Sequence, residues 1–320
     1  MRFHLYNSDN LSQMCEKPYW SFTPLTKECL SKVPYWIAPP LFELGDIQSI
    51  PSCDADEADY FIVPAIIRHN PDFHNKNAAP KIIDYFQSNL SHYKQFPKKH
   101  VFICGSDYFE PIDELANNSV LYAFSAHKNS NVRCIHYQPQ VPVPEKIISI
   151  EKTVYDISFQ GEIRKGLREE LIATACLTKH KTISKNVRIW QDKWHKQDIK
   201  PLVDEYVSLM HMSKFVLCPK GFGLQTIRFY ETLAFGRIPV LISNHAKLPL
   251  EHQIDYDKFV VKVDENNIQE LESKIDEFVR KNDLTQASDC ARKTWEKYFS
   301  SKSLNDFFQH DLKNYDQNKS

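Results

Sequence analysis

No stretch of this 320-residue chain approaches the ~18 to 20 unbroken apolar residues of a bilayer-spanning helix, although 42% of its residues are hydrophobic. With 25% charged and 12% aromatic residues, that composition excludes membrane-spanning, coiled-coil and disordered classes. An excess of one charge is also missing. Forty Lys and Arg stand against 41 Asp and Glu, so no long-range field gathers a polyanion, nucleic acid included, and any anionic ligand must be held locally. Eight cysteines are present without a single Cys-x-x-Cys, and 13 histidines without a His-x-x-x-His, which leaves no zinc or disulfide framework. The opening Met1 to Asp9 turns polar before an apolar signal region can form. A cytoplasmic location is therefore expected, with peripheral association at the inner face of a membrane left open.

Glycine is the scarcest small residue: seven in all, namely Gly45, Gly105, Gly161, Gly166, Gly221, Gly223 and Gly236. At that density a glycine marks a backbone demand, either positive φ or close approach of another group. Gly105, Gly161 and the Gly221/Gly223 pair each follow a short apolar run that reads as a buried strand. Turns at the carboxyl ends of such strands are where open α/β sheets bind ligands.

The strands predicted are Tyr60 to Ala65, His100 to Cys104, Val132 to His136, Asp156 to Phe159, Phe215 to Cys218, Ile238 to Ile242 and Phe259 to Val263. Amphipathic helical spacing lies between them, as in Ile82, Ile83, Phe86, Leu90 and Tyr93, or Ile268, Leu271, Ile275, Phe278 and Val279. That alternation gives βαβ units on mostly parallel sheets. Pro139, Pro142 and Pro144 forbid a helix and mark an extended connector from Gln138 to Glu145. The boundary is placed there: residues 1–144 form one domain and 145–320 a second, whose polar tail from Ser300 can return to the first. The first fifty residues read as one edge strand plus irregular loops.

The densest signal runs from Ser213 to Ile242: strand, glycine turn, helix, glycine, strand. A helix starting near Gln225 or Thr226 aims its free N–H groups and positive dipole end at the Lys220-Gly221-Phe222-Gly223 turn, a site for a diphosphate. Arg228 adds a planar fork for two phosphate oxygens and Thr226 a hydroxyl. Glu231, three residues on, can accept hydrogen bonds from ribose hydroxyls; its alternative is an (i, i+3) ion pair with Arg228.

This segment resembles the exostosin-type glycosyltransferases, which carry a Pro-x-Gly turn, a helix with Arg-x-x-Glu, then Gly-x-Ile-Pro-Val and a later Leu-Pro before Asp-Trp or Asp-Tyr. Here the later part reads Leu248-Pro249 and Asp255-Tyr256. Upstream, Ala58-Asp59-Tyr60-Phe61-Ile62-Val63-Pro64 is similar to the family's Ala-x-x-Phe-x-Val-Pro strand, and Phe159-Gln160-Gly161-Glu162-Ile163-Arg164 with Arg168 to its Phe-x-Gly-x-x-Arg turn. The family's Gly-Arg-Asp-His is replaced by Gly105-Ser106-Asp107-Tyr108.

The resemblance implies a GT-B fold, two Rossmann-like domains facing across a cleft, with the nucleotide sugar held by the second. It implies transfer from a UDP-sugar to a hydroxyl of an oligosaccharide or polysaccharide acceptor, with inversion and without a metal or other cofactor. Arg228 and Thr226 would carry the diphosphate, Glu231 the ribose, and Arg164 further phosphate charge. Positive groups aimed at the leaving diphosphate lower the barrier in place of a metal. An inverting step also needs a general base, for which Asp107 and Glu162 are the candidates. A GDP-sugar enzyme of fucosyltransferase type and a non-catalytic glycan or nucleotide binder are the alternatives.

The pairs Asp54/Asp56 and Asp255/Asp257 imitate a metal-binding Asp-x-Asp, but their surroundings read as a solvated acidic loop and a capped turn. Tyr19, Trp20, Tyr35, Trp36, Trp190 and Trp194 are aromatics that core packing or an acceptor sugar can use.

Overall fold

The computed structural model describes residues 1–11, 14–16, 20–24, 47–69, 78–105, 115–187, 200–221 and 223–317. The GT-B expectation holds: the chain forms two α/β domains, each built on a mainly parallel sheet.

The first sheet has seven strands: β1 (Phe3–Leu5), β2 (Met14–Glu16), β3 (Trp20–Pro24), β4 (Tyr60–His69), β5 (His100–Cys104), β6 (Val120–Ala123) and β7 (Arg133–Cys134). Strand β4 is long enough to pair twice on one side. Its first half takes β1 in parallel at Tyr60 to Ile62, and its second half takes β3 antiparallel at Ala65 to His69. The opening fifty residues thus supply three strands, not the single edge strand expected. β6 was not anticipated either, because Val-Leu-Tyr-Ala is too short a run to stand out. Helix α1 (Ala78–Asn89) covers one face through Ile82 and Phe86, with Phe86 stacked on Phe102 at 4.0 Å.

The second sheet is fully parallel. Its strands are β8 (Tyr155–Gly161), β9 (Thr182–Asn186), β10 (Ser213–Pro219), β11 (Ile238–Ile242) and β12 (Val261–Lys262), in the order β12-β11-β10-β8-β9. β8 and β10 are neighbours, yet the chain leaves β8 through α2 (Leu167–Leu177) towards β9 and returns through α3 (Lys200–His211) to β10. The order therefore reverses between β8 and β10. That reversal opens a crevice at their carboxyl ends, the place where doubly wound sheets take ligands. Helix α4 (Ile227–Ala234) joins β10 to β11, and α5 (Leu271–Lys281) follows β12.

Loops at the carboxyl ends of both sheets meet. The residues after β6 and those after β11 form a bridge between His127 and Ala246, flanked by Lys128 N–H to His245 O (2.9 Å) and Lys247 N–H to Ala126 O (2.8 Å). The Lys247 ammonium donates to the Ser130 and Val132 carbonyls. Beyond α6 (Leu284–Thr294), helix α7 (Leu304–Gln317) crosses back to the first sheet. There Phe308 packs edge-on against Phe3 and Tyr122, and Asp311 accepts from the Tyr122 hydroxyl (2.6 Å) and pairs with Arg133. One continuous core, from Phe3 and Tyr122 through Phe307 and Leu312 to Phe229 and Val240, spans both domains.

Among the described residues no helix is long and apolar enough to cross a membrane.

Candidate functional site

The β8/β10 crevice is where the glycine turns converge. Gly161 ends β8, and a Cβ added there would lie 2.5 Å from Nη2 of Arg228, so only glycine lets that guanidinium cross the strand end. Arg228 uses the space. Its Nη2 donates to Gln160 O (2.6 Å), and its guanidinium carbon sits 4.5 Å above the Phe159 ring centre. Its Nε and Nη1 are buried and find no partner among the described residues. Buried donors left in that condition cost about 1 to 3 kcal/mol each, so each calls for a partner.

Arg228 is the second residue of α4. Thr226 occupies the N-cap with extended backbone, and its side chain makes no capping hydrogen bond. The helix therefore presents its first amides and its positive end without an internal cap. Arg168 closes the other side. From the first turn of α2 it donates Nη1 to Glu162 O (3.0 Å) and Nη2 and Nε to Lys220 O (3.1 and 3.3 Å), tying the β8 turn to the β10 turn. Burial, and then the Arg228 and Arg164 charges, push its guanidinium down to about 10. Three arginines at one crevice repel one another, and an anion of matching charge relieves that repulsion.

The sequence profile of the Exostosin GT47 domain matches residues 6–278, most of the chain and both sheets. The chain belongs to the exostosin GT47 family of glycosyltransferases. Among curated relatives, Exostosin-1c of Danio rerio is 35% identical over 102 residues, which are 30% of this chain and 13% of that protein. A probable glucuronosyltransferase of Oryza sativa subsp. japonica is 34% identical over 103 residues, 28% of this chain and 24% of that protein. The matched stretch is thus a small part of the exostosins. Among solved structures, a glycosyltransferase from Rickettsia africae aligns with 81% of this chain and 90% of its own at 14% identity and a TM-score of 0.40. HepE from Anabaena, in complex with UDP, aligns with 81% and 80% at 12% identity and a TM-score of 0.43. At those scores they add no weight, and the fold rests on the two sheets themselves.

Within this exostosin domain the residues singled out from sequence have different fates. Arg228, Thr226, Gly221, Gly223, Lys220, Glu162 and Arg164 belong to the turns and helix start around one crevice. Gly221 N–H donates to Gly223 O (3.1 Å) and closes the turn. Lys220 turns its ammonium to Glu265 in an ion pair and offers its carbonyl to Arg168. Glu162 pairs through Oε2 with Arg164 at 2.5 Å on the same turn. Asp107 lies outside the described residues, as do the side chains of Tyr19, Trp20, Tyr35, Trp36, Trp190 and Trp194.

Glu231 has protein partners that its position on the helix does not foretell. It is 5% exposed, and both carboxylate oxygens are held by protein: Oε2 by the Tyr206 hydroxyl (2.7 Å), Oε1 by the Gln140 backbone N–H (3.0 Å). No ion pair joins it to Arg228 among the described residues, and each oxygen has a protein donor. Burial raises its carboxyl above the ordinary range, opposed by the Tyr206 and Gln140 hydrogen bonds and the Arg228 charge. The Asp255/Asp257 pair also differs from the capped turn expected: Asp255 makes no capping bond, and the two pair with Lys258 (3.4 Å) and Lys262 (2.8 Å).

Arg168 is the functional side chain that sequence reasoning passed over. Its signal was present, since it stands in the stretch that resembles the family's Phe-x-Gly-x-x-Arg turn, but the Lys220 carbonyl that it holds is 52 residues away.

Proposed function

We propose that this chain transfers a sugar from a UDP-sugar to a hydroxyl of an oligosaccharide or polysaccharide acceptor, with inversion at the anomeric carbon and without a metal. The observation that carries the reading is the Arg228 guanidinium: crossing Gly161 at the sheet's switch point, with two buried donors that find no partner among the described residues. A diphosphate supplies anionic acceptor oxygens for those donors. Arg228 and the amides at the start of α4 hold the diphosphate, Thr226 adds its hydroxyl, Arg164 lends charge from the β8 turn, and Arg168 keeps the two turns in register. As the acceptor oxygen bonds to the anomeric carbon, the bond to the diphosphate breaks and the leaving UDP takes the electron pair. The arginines and the helix end then face a growing negative charge, which lowers the barrier.

The proton of the acceptor hydroxyl passes to a carboxylate. Asp107, just beyond the β5 carboxyl end, is the stronger candidate, because Glu162 is engaged with Arg164. Uridine as the base rests on the family resemblance, so the test compares nucleotides. Calorimetric titration with UDP and GDP should show binding of UDP, lost in Arg228→Met, and UDP release with an acceptor panel should stop in Asp107→Ala while UDP still binds. Preference for GDP would overturn the donor. Retained UDP affinity in Arg228→Met would overturn the site.

A further inference from the structure

The connector between the two sheets has no secondary structure from Ile135 to Ser149, and Pro139, Pro142 and Pro144 delete three of its backbone donors. The N–H of Gln140, between two of those prolines, goes to a carboxylate instead, 91 residues away on the donor helix. A neutral side chain would fill that site at lower cost, since burying a carboxylate without a cationic hydrogen-bond partner is expensive. Its surroundings are well defined. Tyr206 from α3 donates to the other oxygen, Arg228 stands one helical turn away on α4, and the Cys218 thiol of β10, pushed up to about 12 by burial, is close enough to sense the charge.

The same helix α3 reaches the diphosphate crevice. Gln160 Nε2 donates to Leu202 O (3.2 Å), one turn before Tyr206, while Gln160 O accepts from Arg228. A closed circuit results: Arg228 to Gln160, Gln160 to α3, Tyr206 to Glu231, Glu231 to the connector, and Glu231 back to Arg228 along α4. We infer that Glu231 is a positioning residue that latches the interdomain connector, through the Gln140 N–H, to the helix holding the donor diphosphate. Where the connector leaves the second domain, and with it the approach of the first, is then set by the donor helix itself. This goes beyond the transferase reading and rests on it only for the donor arm of the test.

Hydrogen–deuterium exchange at the Gln140 amide and calorimetric titration with UDP test the latch in the full chain. Glu231→Met removes both acceptors at similar length and should speed Gln140 exchange about tenfold or more. UDP affinity should stay within about threefold, because both carboxylate oxygens are already held by protein donors. Glu231→Gln keeps one acceptor oxygen and should restore protection, a rescue that mere filling of space does not produce. Unchanged protection of Gln140 in the Met variant overturns the latch. A tenfold or greater loss of UDP affinity, about 1.4 kcal/mol, overturns it as well and returns the carboxylate to the ribose. Should the Met variant fail to fold, Tyr206→Phe strips one donor from the carboxylate without touching Gln140; faster exchange supports the latch and unchanged exchange overturns it. Wild-type protein that binds no UDP refutes the donor reading and leaves the exchange arm intact.

Discussion

Replacing Gly161 by alanine tests the donor site without substituting any residue that would contact the ligand. The added methyl lies 2.5 Å from Arg228 Nη2 and 3.3 Å from Phe159 Cζ. The first is the far end of a flexible side chain, so the backbone stays and the guanidinium moves. Its bond to Gln160 O, a charged hydrogen bond of about 1.5 to 3 kcal/mol, is broken, and its seat over Phe159, about 0.5 to 1 kcal/mol more, is disturbed. Part of that loss falls on stability. The part that matters for donor binding is the misplaced guanidinium: about 2 kcal/mol of charged hydrogen bonding to the diphosphate, or ~30-fold weaker UDP binding. Calorimetry on wild type, Gly161→Ala, Arg228→Met and the double variant completes the test. The double variant should bind UDP no worse than Arg228→Met alone, because both changes remove one interaction. UDP affinity within about twofold of wild type in folded Gly161→Ala refutes the reasoning, as do additive losses in the double variant.

Four further outcomes follow from the same geometry. Gly236→Ala should cost roughly 1 to 3 kcal/mol in urea unfolding with UDP affinity unchanged, since Gly236 holds φ +62° and a Cβ there meets Ile147 Cδ1 at 2.7 Å, far from the crevice. Arg237→Leu should cost about 3 kcal/mol or more, because the fully buried guanidinium donates to the carbonyls of Met210, Ile148 and His211, which the leucine leaves unpaired. The raised carboxyl of Glu231 means the folded chain keeps a proton that the unfolded chain has released. Its contribution to stability therefore declines as pH rises from the ordinary carboxyl range to the raised value, and the difference in unfolding free energy between wild type and Glu231→Gln should show that slope; a flat difference refutes it. Finally, transfer measured as UDP release should persist in excess EDTA if arginines and a helix end carry the leaving group, and loss restored by a divalent cation refutes that.

The sequence revealed the strands that are buried on both faces and bounded by breakers. His100–Cys104 and Ile238–Ile242 have the limits read from their apolar runs. Thr182–Asn186 escaped because it is a half-exposed edge strand whose Thr-Ile-Ser-Lys-Asn carries no apolar run. Phe3–Leu5 escaped because His4 interrupts it; only its pairing with Tyr60 to Ile62 makes it a strand. In the site, the glycine turns and Arg228 were legible because each is a local backbone or charge signal. The fate of Glu231 was not: (i, i+3) spacing places it one turn from Arg228, but partners at positions 140 and 206 are set by packing that no local pattern encodes.

The return of helix α7 to the first sheet has a consequence for synthesis. Phe3, Tyr122 and Arg133 wait for Phe308 and Asp311, so the first domain cannot complete its interior before helix α7 has been made. The donor sheet, from Tyr155 to Lys262, depends on no such latecomer for its strand pairing and can form first. Strand pairing in the second sheet thus precedes the closure of the first domain, although that half is made earlier.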